Sequence, residues 1–136
     1  MKLKIGDFGC GRAELADILK ENKVYSFDHN NILNDKIIAC DIKDVSKYIE
    51  EGELDIAVFS LSLMGRNWRD YIAEANRCLE SKGWLFIAET TNQLRQVVGE
   101  EEGRLSDLRN VIKETGFDIY NEMQIEHLTF LDARKH

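Results

Sequence analysis

Apolar runs alternate with amphipathic stretches along the whole chain, and a chain written that way has few folds open to it. Strand, helix, strand in repetition is the pattern of a parallel sheet with crossover helices. Residues 3–5 with Asp7 and Phe8 read as strand one, 24–27 as strand two, 36–40 as strand three, 54–63 as strand four and 84–89 as strand five. Between them, 13–22 and 45–51 read as helices. Residues 67–81 set Trp68, Tyr71, Ile72, Ala75 and Leu79 at three- and four-residue spacing, which predicts an amphipathic helix that Gly83 is placed to end. Residues 105–115 read as a helix stopped by Gly116, and 117–123 and 127–131 as the last two strands. Their connection, 124–126, is so short that the pair must be antiparallel. With no linker, repeat or low-complexity segment in view, residues 1–136 are expected to form one domain.

Composition narrows the function classes. A hydrophobic fraction of 43% and a charged fraction of 32% are those of an ordinary globular chain, with no apolar run of the roughly 20 residues that cross a bilayer. No membrane role is expected, and the first residues, MKLKIGDFGCG, read as a strand and turn instead of a signal. Cys10, Cys40 and Cys78 are scattered without metal-ligand pairing, which suits reduced thiols and no metal site. The formal charge of −7 argues against strong binding to a nucleic acid backbone by this chain alone, since that binding rests on Lys and Arg neutralising phosphates.

Chemistry first shows at DFGCG, residues 7–11, between strand one and a helix. Its glycines let the backbone approach a ligand that a side chain would exclude, although a tight strand-to-helix turn is an open alternative. The loop falls short of the six-residue dinucleotide fingerprint, because Ala13 and Glu14 stand where its third glycine would fall. That favours S-adenosylmethionine over a nicotinamide cofactor. Asp28 ends the SFD segment of strand two, where a carboxylate can accept bonds from both hydroxyls of a ribose; a turn or cap aspartate is the alternative. Asp41, in ACDI after strand three, stands where such folds bind an adenine amine, with Ile42 against the ring. Asp7, Phe8, Gly9, Gly11, Asp28, Asp41, Ile42 and Ser60 are therefore the expected cofactor residues, gathered at the carboxyl ends of neighbouring strands. Cys10 lies in the loop with no base beside it and reads as packing. Five parallel strands with a C-terminal antiparallel pair and this loop predict an α/β, Rossmann-like class I methyltransferase sandwich.

The strings DFGCG, SFD, ACDI, LDIAVFSLSLMG, NWRDYIAEANRCL and LFIAE together resemble the methyltransferase domain of the ribosomal RNA-processing protein 8 family, also called nucleomethylin. The resemblance covers residues 7–89, with a weaker echo through Gly116, Phe117, His127 and Phe130. It implies S-adenosylmethionine as cofactor and, as a candidate activity, methylation of N1 of an adenine in large-subunit ribosomal RNA. It also implies that Leu63, Met64, Gly65 and Asn67 line the transfer site, with Met64 and Asn67 as the expected catalytic residues. The chain departs from the family by starting directly at strand one and by having Ser46 and Ser81 near positions where prolines are usual.

Arg66 and Arg69 flank Trp68, either as a cluster that holds a phosphate and stacks a base or as solvated arginines around a helix anchor. An RNA substrate would call for help from a partner or second subunit, possibly a homodimer. The expected location is cytoplasmic in a prokaryote and nuclear or nucleolar in a eukaryote. A noncatalytic cofactor- or partner-binding module with the same fold is the alternative function.

Overall fold

A computed structural model describes residues 2–29, 36–63, 67–90 and 103–136. In chain order it forms β1 (Lys4–Phe8), α1 (Glu14–Ile18), β2 (Lys23–Asp28), β3 (Ile38–Ala39), β4 (Leu54–Ser60), α2 (Trp68–Cys78), β5 (Leu79–Thr90), α3 (Gly103–Glu114), β6 (Phe117–Ile125) and β7 (Leu128–Lys135). The strands make one sheet in the order β3-β2-β1-β4-β5-β7-β6. β1 to β5 run parallel, while β7 is antiparallel to both β5 and β6. The order reverses between β1 and β4. Open parallel sheets part their loops at such a switch, leaving a crevice outside the carboxyl ends of the strands.

Alternating strand residues supply the core on one face of the sheet. Phe8, Phe27 and Phe59 meet there with ring centroids 5.5 Å and 5.1 Å from Phe8, joined by Leu85, Ile87, Leu131 and Ala133. α2 covers them with Trp68, Ile72, Ala75 and Cys78, the stripe its spacing predicts, and α3 adds Leu105, Leu108 and Ile112. Phe8 is completely buried in this cluster. Its side chain therefore serves packing, so any part of Phe8 in a cofactor site would be through its backbone.

Several expected boundaries move, each for a local reason. Ala13 takes φ 61°, so the turn after β1 runs further and α1 begins only at Glu14. It stops early because Asn22 turns back, its side-chain oxygen accepting the Leu3 N–H at 3.1 Å. β4 ends at Ser60 since Leu61 adopts φ 57°. Gly83 does not terminate a helix: α2 ends at Cys78 and Gly83 lies within β5, where an added Cβ would come 3.0 Å from the Glu80 carbonyl oxygen.

The helix expected at 45–51 is instead a turn. Tyr48 and Ile49 N–H still reach the Val45 carbonyl, at 2.8 and 3.0 Å, but the groups at the two ends of the turn are bonded outside it. The Glu74 carboxylate accepts the Val45 N–H, and the Arg77 guanidinium donates to the Ile49 carbonyl at 3.0 Å. α2 thus holds both ends of the turn through side chains, taking groups that a helix this short would also leave without an internal partner. Glu74 and Arg77 also pair with each other, so neither is left as a lone buried charge.

Candidate functional site

The turn after β1 is built around one carbonyl. Gly9 and Cys10 both donate their N–H groups to the Phe27 oxygen, at 2.8 and 2.9 Å, which locks the loop to the end of β2. One residue on, the Asp28 carboxylate accepts the Gly11 N–H at 2.9 Å. Gly9 and Gly11 have φ 79° and 57°, a region where glycine carries no Cβ penalty. At Gly9 the space is also closed to a side chain, as an added Cβ would lie 2.5 Å from the Ser62 Cβ. At Gly11 nothing lies within 4 Å of that point, so its backbone faces open volume.

That volume is a cleft of about 870 Å³ bounded by Gly9, Gly11, Asp28, Asp41, Ile42, Ser60 and, from α2, Tyr71. A second hollow of about 430 Å³ lies on the other side of the loop, bounded by Asp7, Arg12, Glu14 and Val58 and sharing Gly9, Cys10 and Ser60 with the first. The sequence-derived set is thus brought to one strand edge, with the Phe8 side chain excluded. Asn67 is exposed beside the start of α2 and does not line the cleft. Met64, Gly65 and Arg66 lie outside the described residues, as does the acidic run at 100–102.

The electrostatics are acidic. Asp7 is 4% exposed in β1, and burial, reinforced by the charge of Asp28, pushes its carboxyl up to about 6. A cationic group entering the smaller hollow would restore its ionisation. Burial and then Asp7 and Asp28 push the Cys10 thiol up to about 12; burial and then Asp41, Asp28 and Asp44 push Cys40 to about 11. Both thiols line the cleft, and both are held protonated, the reverse of what an activated nucleophile needs. Trp68 is 6% exposed and Arg69 lies over its ring at 4.4 Å while reaching Asp107 on α3 at 3.9 Å. The ring is buried in anchoring α2, the second of the two readings open for Trp68 from the sequence.

Sequence reasoning passed over Tyr71, Ser62 and Glu89. Tyr71 carries helical spacing and reads as core, though it borders the cleft beside Ile42. Ser62 donates its hydroxyl to the Phe8 carbonyl at 2.7 Å, and Glu89 is a buried carboxylate at the end of β5. The only signal either residue left in the chain was its place just after an apolar run.

A glycine loop with the Asp28 and Asp41 carboxylates on one cleft, set at the carboxyl ends of this strand order, has the layout of a Rossmann-like class I methyltransferase, a class that takes S-adenosylmethionine as methyl donor. A solved S-adenosylmethionine-dependent methyltransferase from Mesorhizobium loti has the same fold, with a TM-score of 0.81 at 14% identity over 98% of this chain and 91% of that one. The model of a family described as hypothetical methyltransferase matches residues 1–136. Ribosomal RNA-processing protein 8 of Arabidopsis thaliana is 47% identical over 67% of this chain and 30% of its own length. The 25S rRNA (adenine(645)-N(1))-methyltransferase of Schizosaccharomyces pombe is 39% identical over 71% of this chain and again 30% of its own length. The chain belongs to the ribosomal RNA-processing protein 8 family of methyltransferases, and it spans about a third of the length of these curated relatives.

Proposed function

We propose that this chain transfers the methyl group of S-adenosylmethionine to N1 of an adenine in RNA, with ribosomal RNA as the substrate its family favours. The observation that carries the reading is the joining of Asp28 to the glycine loop through Gly11, on the wall of a cleft that Asp41 and Ile42 also line. One carboxylate oxygen of Asp28 takes the Gly11 N–H and the other lies 3.2 Å from His29 Nδ1. A carboxylate has about four acceptor positions, so capacity for ribose hydroxyls remains. Asp41 would accept the adenine amine of the cofactor and Ile42 would lie against its ring, while Asp7 and Arg12 offer opposite charges to an amino-acid tail.

The cofactor supplies an electrophilic methyl on a sulfonium. The acceptor N1 already carries a lone pair at neutral pH, so the chain's residues need not remove a proton first. Their task is to orient both reactants in line and keep water out, which fits a cleft bordered by Leu61, Ile42 and Tyr71 and without an activated base. The N1–C bond forms as the S–C bond breaks, the sulfonium becoming a neutral thioether and the adenine a cation.

Because the cleft edge is acidic, phosphate contacts are expected from a partner or a second copy of the chain. In a eukaryotic cell this activity belongs in the nucleolus, where ribosomal RNA is made. No helix of the described residues is long and apolar enough to cross a membrane. Incubation with methyl-labelled cofactor and separate RNA, protein and small-molecule pools tests the reading. Label is expected in RNA and, after digestion, in 1-methyladenine. Transfer to another pool would overturn the substrate, and transfer to none would favour a noncatalytic binding module.

A further inference from the structure

Residues 61–63, which follow β4 along the cleft, are held in a way the cofactor site does not require. Leu61 sits in the left-handed region at φ 57°, with its side chain 50% exposed at the cleft edge. A branched apolar residue in that conformation is strained, and it persists only where its surroundings over-determine it. Three bonds to two strands, β1 and β5, do so here. The Leu61 N–H donates to the Ala88 carbonyl at 2.8 Å, the Ser62 hydroxyl to the Phe8 carbonyl at 2.7 Å, and the Leu63 N–H to the Glu89 carboxylate at 3.2 Å.

Glu89 is the unusual member of this set. It is 2% exposed, its other oxygen accepts the Thr90 N–H at 2.9 Å, and it borders neither hollow of the cleft. In the sheet it stands across from Thr129 of β7, itself 1% exposed. A carboxylate withdrawn from water is costly unless bonded, and here it spends both oxygens on backbone amides at the strand end facing the transfer site.

We propose that Glu89 is a positioning residue for methyl transfer: from outside the cleft, its carboxylate fixes Leu63 and so sets the strained segment against which the acceptor is placed. This rests on the methyltransferase reading above. Loss of that acceptor lets the segment relax, moving the acceptor's wall while leaving Gly9, Gly11, Asp28 and Asp41 in place.

Glu89→Ala and Glu89→Gln separate the possibilities, the amide keeping one acceptor oxygen for Leu63. In Glu89→Ala, kcat is expected to fall about ten- to a hundredfold. The Kd for S-adenosylhomocysteine should stay within about twofold, and the Leu63 amide should exchange its hydrogen about tenfold faster or more, while the amides of Phe59 and Leu85 keep their protection. Glu89→Gln should recover most of both losses. Unchanged exchange at Leu63 in Glu89→Ala would overturn the proposal, as would an equal loss of cofactor affinity, thermal stability and kcat in both variants. The exchange measurement needs no turnover, so it judges Glu89 even if wild-type protein modifies no RNA, an outcome that would sink the methyl-transfer reading alone.

Discussion

The two halves of the cleft are built by opposite means. On the cofactor half, at the ends of β1, β2 and β3, function sits in short contiguous strings, and the loop closes on groups supplied by the next strand. On the half proposed for the acceptor, at the ends of β4 and β5, residues 61–63 depend on partners 26 to 54 positions away in the chain. A ligand that recurs across a fold class can be met by a local motif, whereas the wall for an acceptor is assembled from the particular tertiary contacts of one chain. Gly9 is where the halves touch, its missing side chain making room for Ser62.

The change expected to do most damage strikes that junction. Gly9→Ala must place a Cβ 2.5 Å from the Ser62 Cβ on a backbone at φ 79°. We expect the affinity for S-adenosylhomocysteine to drop by more than about a hundredfold, with a loss of about 2 kcal/mol in folding stability, read by calorimetry and denaturant melts. Retention of near-normal affinity would show that the halves are independent.

Asp41→Ala probes the cofactor half alone. A single hydrogen bond to a charged group is removed from an exposed side chain, so affinity should fall about tenfold while the melting temperature barely moves. If acceptor KM changed and cofactor Kd did not, Asp41 would belong to the other half.

Asp7 sets the pH dependence. Its carboxyl is raised from 3.8 to about 6 in the folded chain, so between those values the folded state holds a proton that the unfolded state has lost. Stability of the cofactor-free protein should therefore fall as pH rises from about 4 to about 6, and Asp7→Asn should flatten that slope. Cofactor affinity should run the other way, weakening below about pH 6, where the entering cationic tail must displace the proton. Titration calorimetry in buffers of different ionisation heat would detect the proton released, and an affinity unchanged from pH 5 to 7 would remove Asp7 from the site.

The smallest effect is expected at Cys10. With its thiol pushed up to about 12 by burial and the neighbouring Asp7 and Asp28, alkylation at pH 8 should be far slower than for a free cysteine. Cys10→Ser should leave cofactor affinity within about twofold. Rapid modification of Cys10 would contradict the acidic, shielded setting assigned to the loop.

The same contrast decides how much could be read from the chain. The sheet was legible because strand periodicity and the Gly116 stop are local signals, and Asp28 and Asp41 stood out as candidates because one ends β2 and the other follows β3 by two residues. The segment at 45–51 was misread as a helix because nothing within it reveals that Glu74 and Arg77 hold its Val45 amide and Ile49 carbonyl. The burial of the Phe8 side chain was not legible because adjacency to the glycine loop does not say which face of the sheet a strand residue points to, and β1 sends it inward. Glu89 was invisible as a functional group, since its partner at Leu63 is chosen by the parallel alignment of β4 and β5.

Calorimetry of the folded chain with S-adenosylhomocysteine, S-adenosylmethionine and NAD, on wild type and Asp28→Ala, tests the central claim most directly. Both sulfur ligands should bind wild type, NAD should not, and Asp28→Ala should weaken both by about a hundredfold through loss of the ribose contacts and of the Gly11 anchor. Well-folded wild-type protein that binds neither sulfur ligand, or an Asp28→Ala variant that binds them as tightly as wild type, would contradict the account.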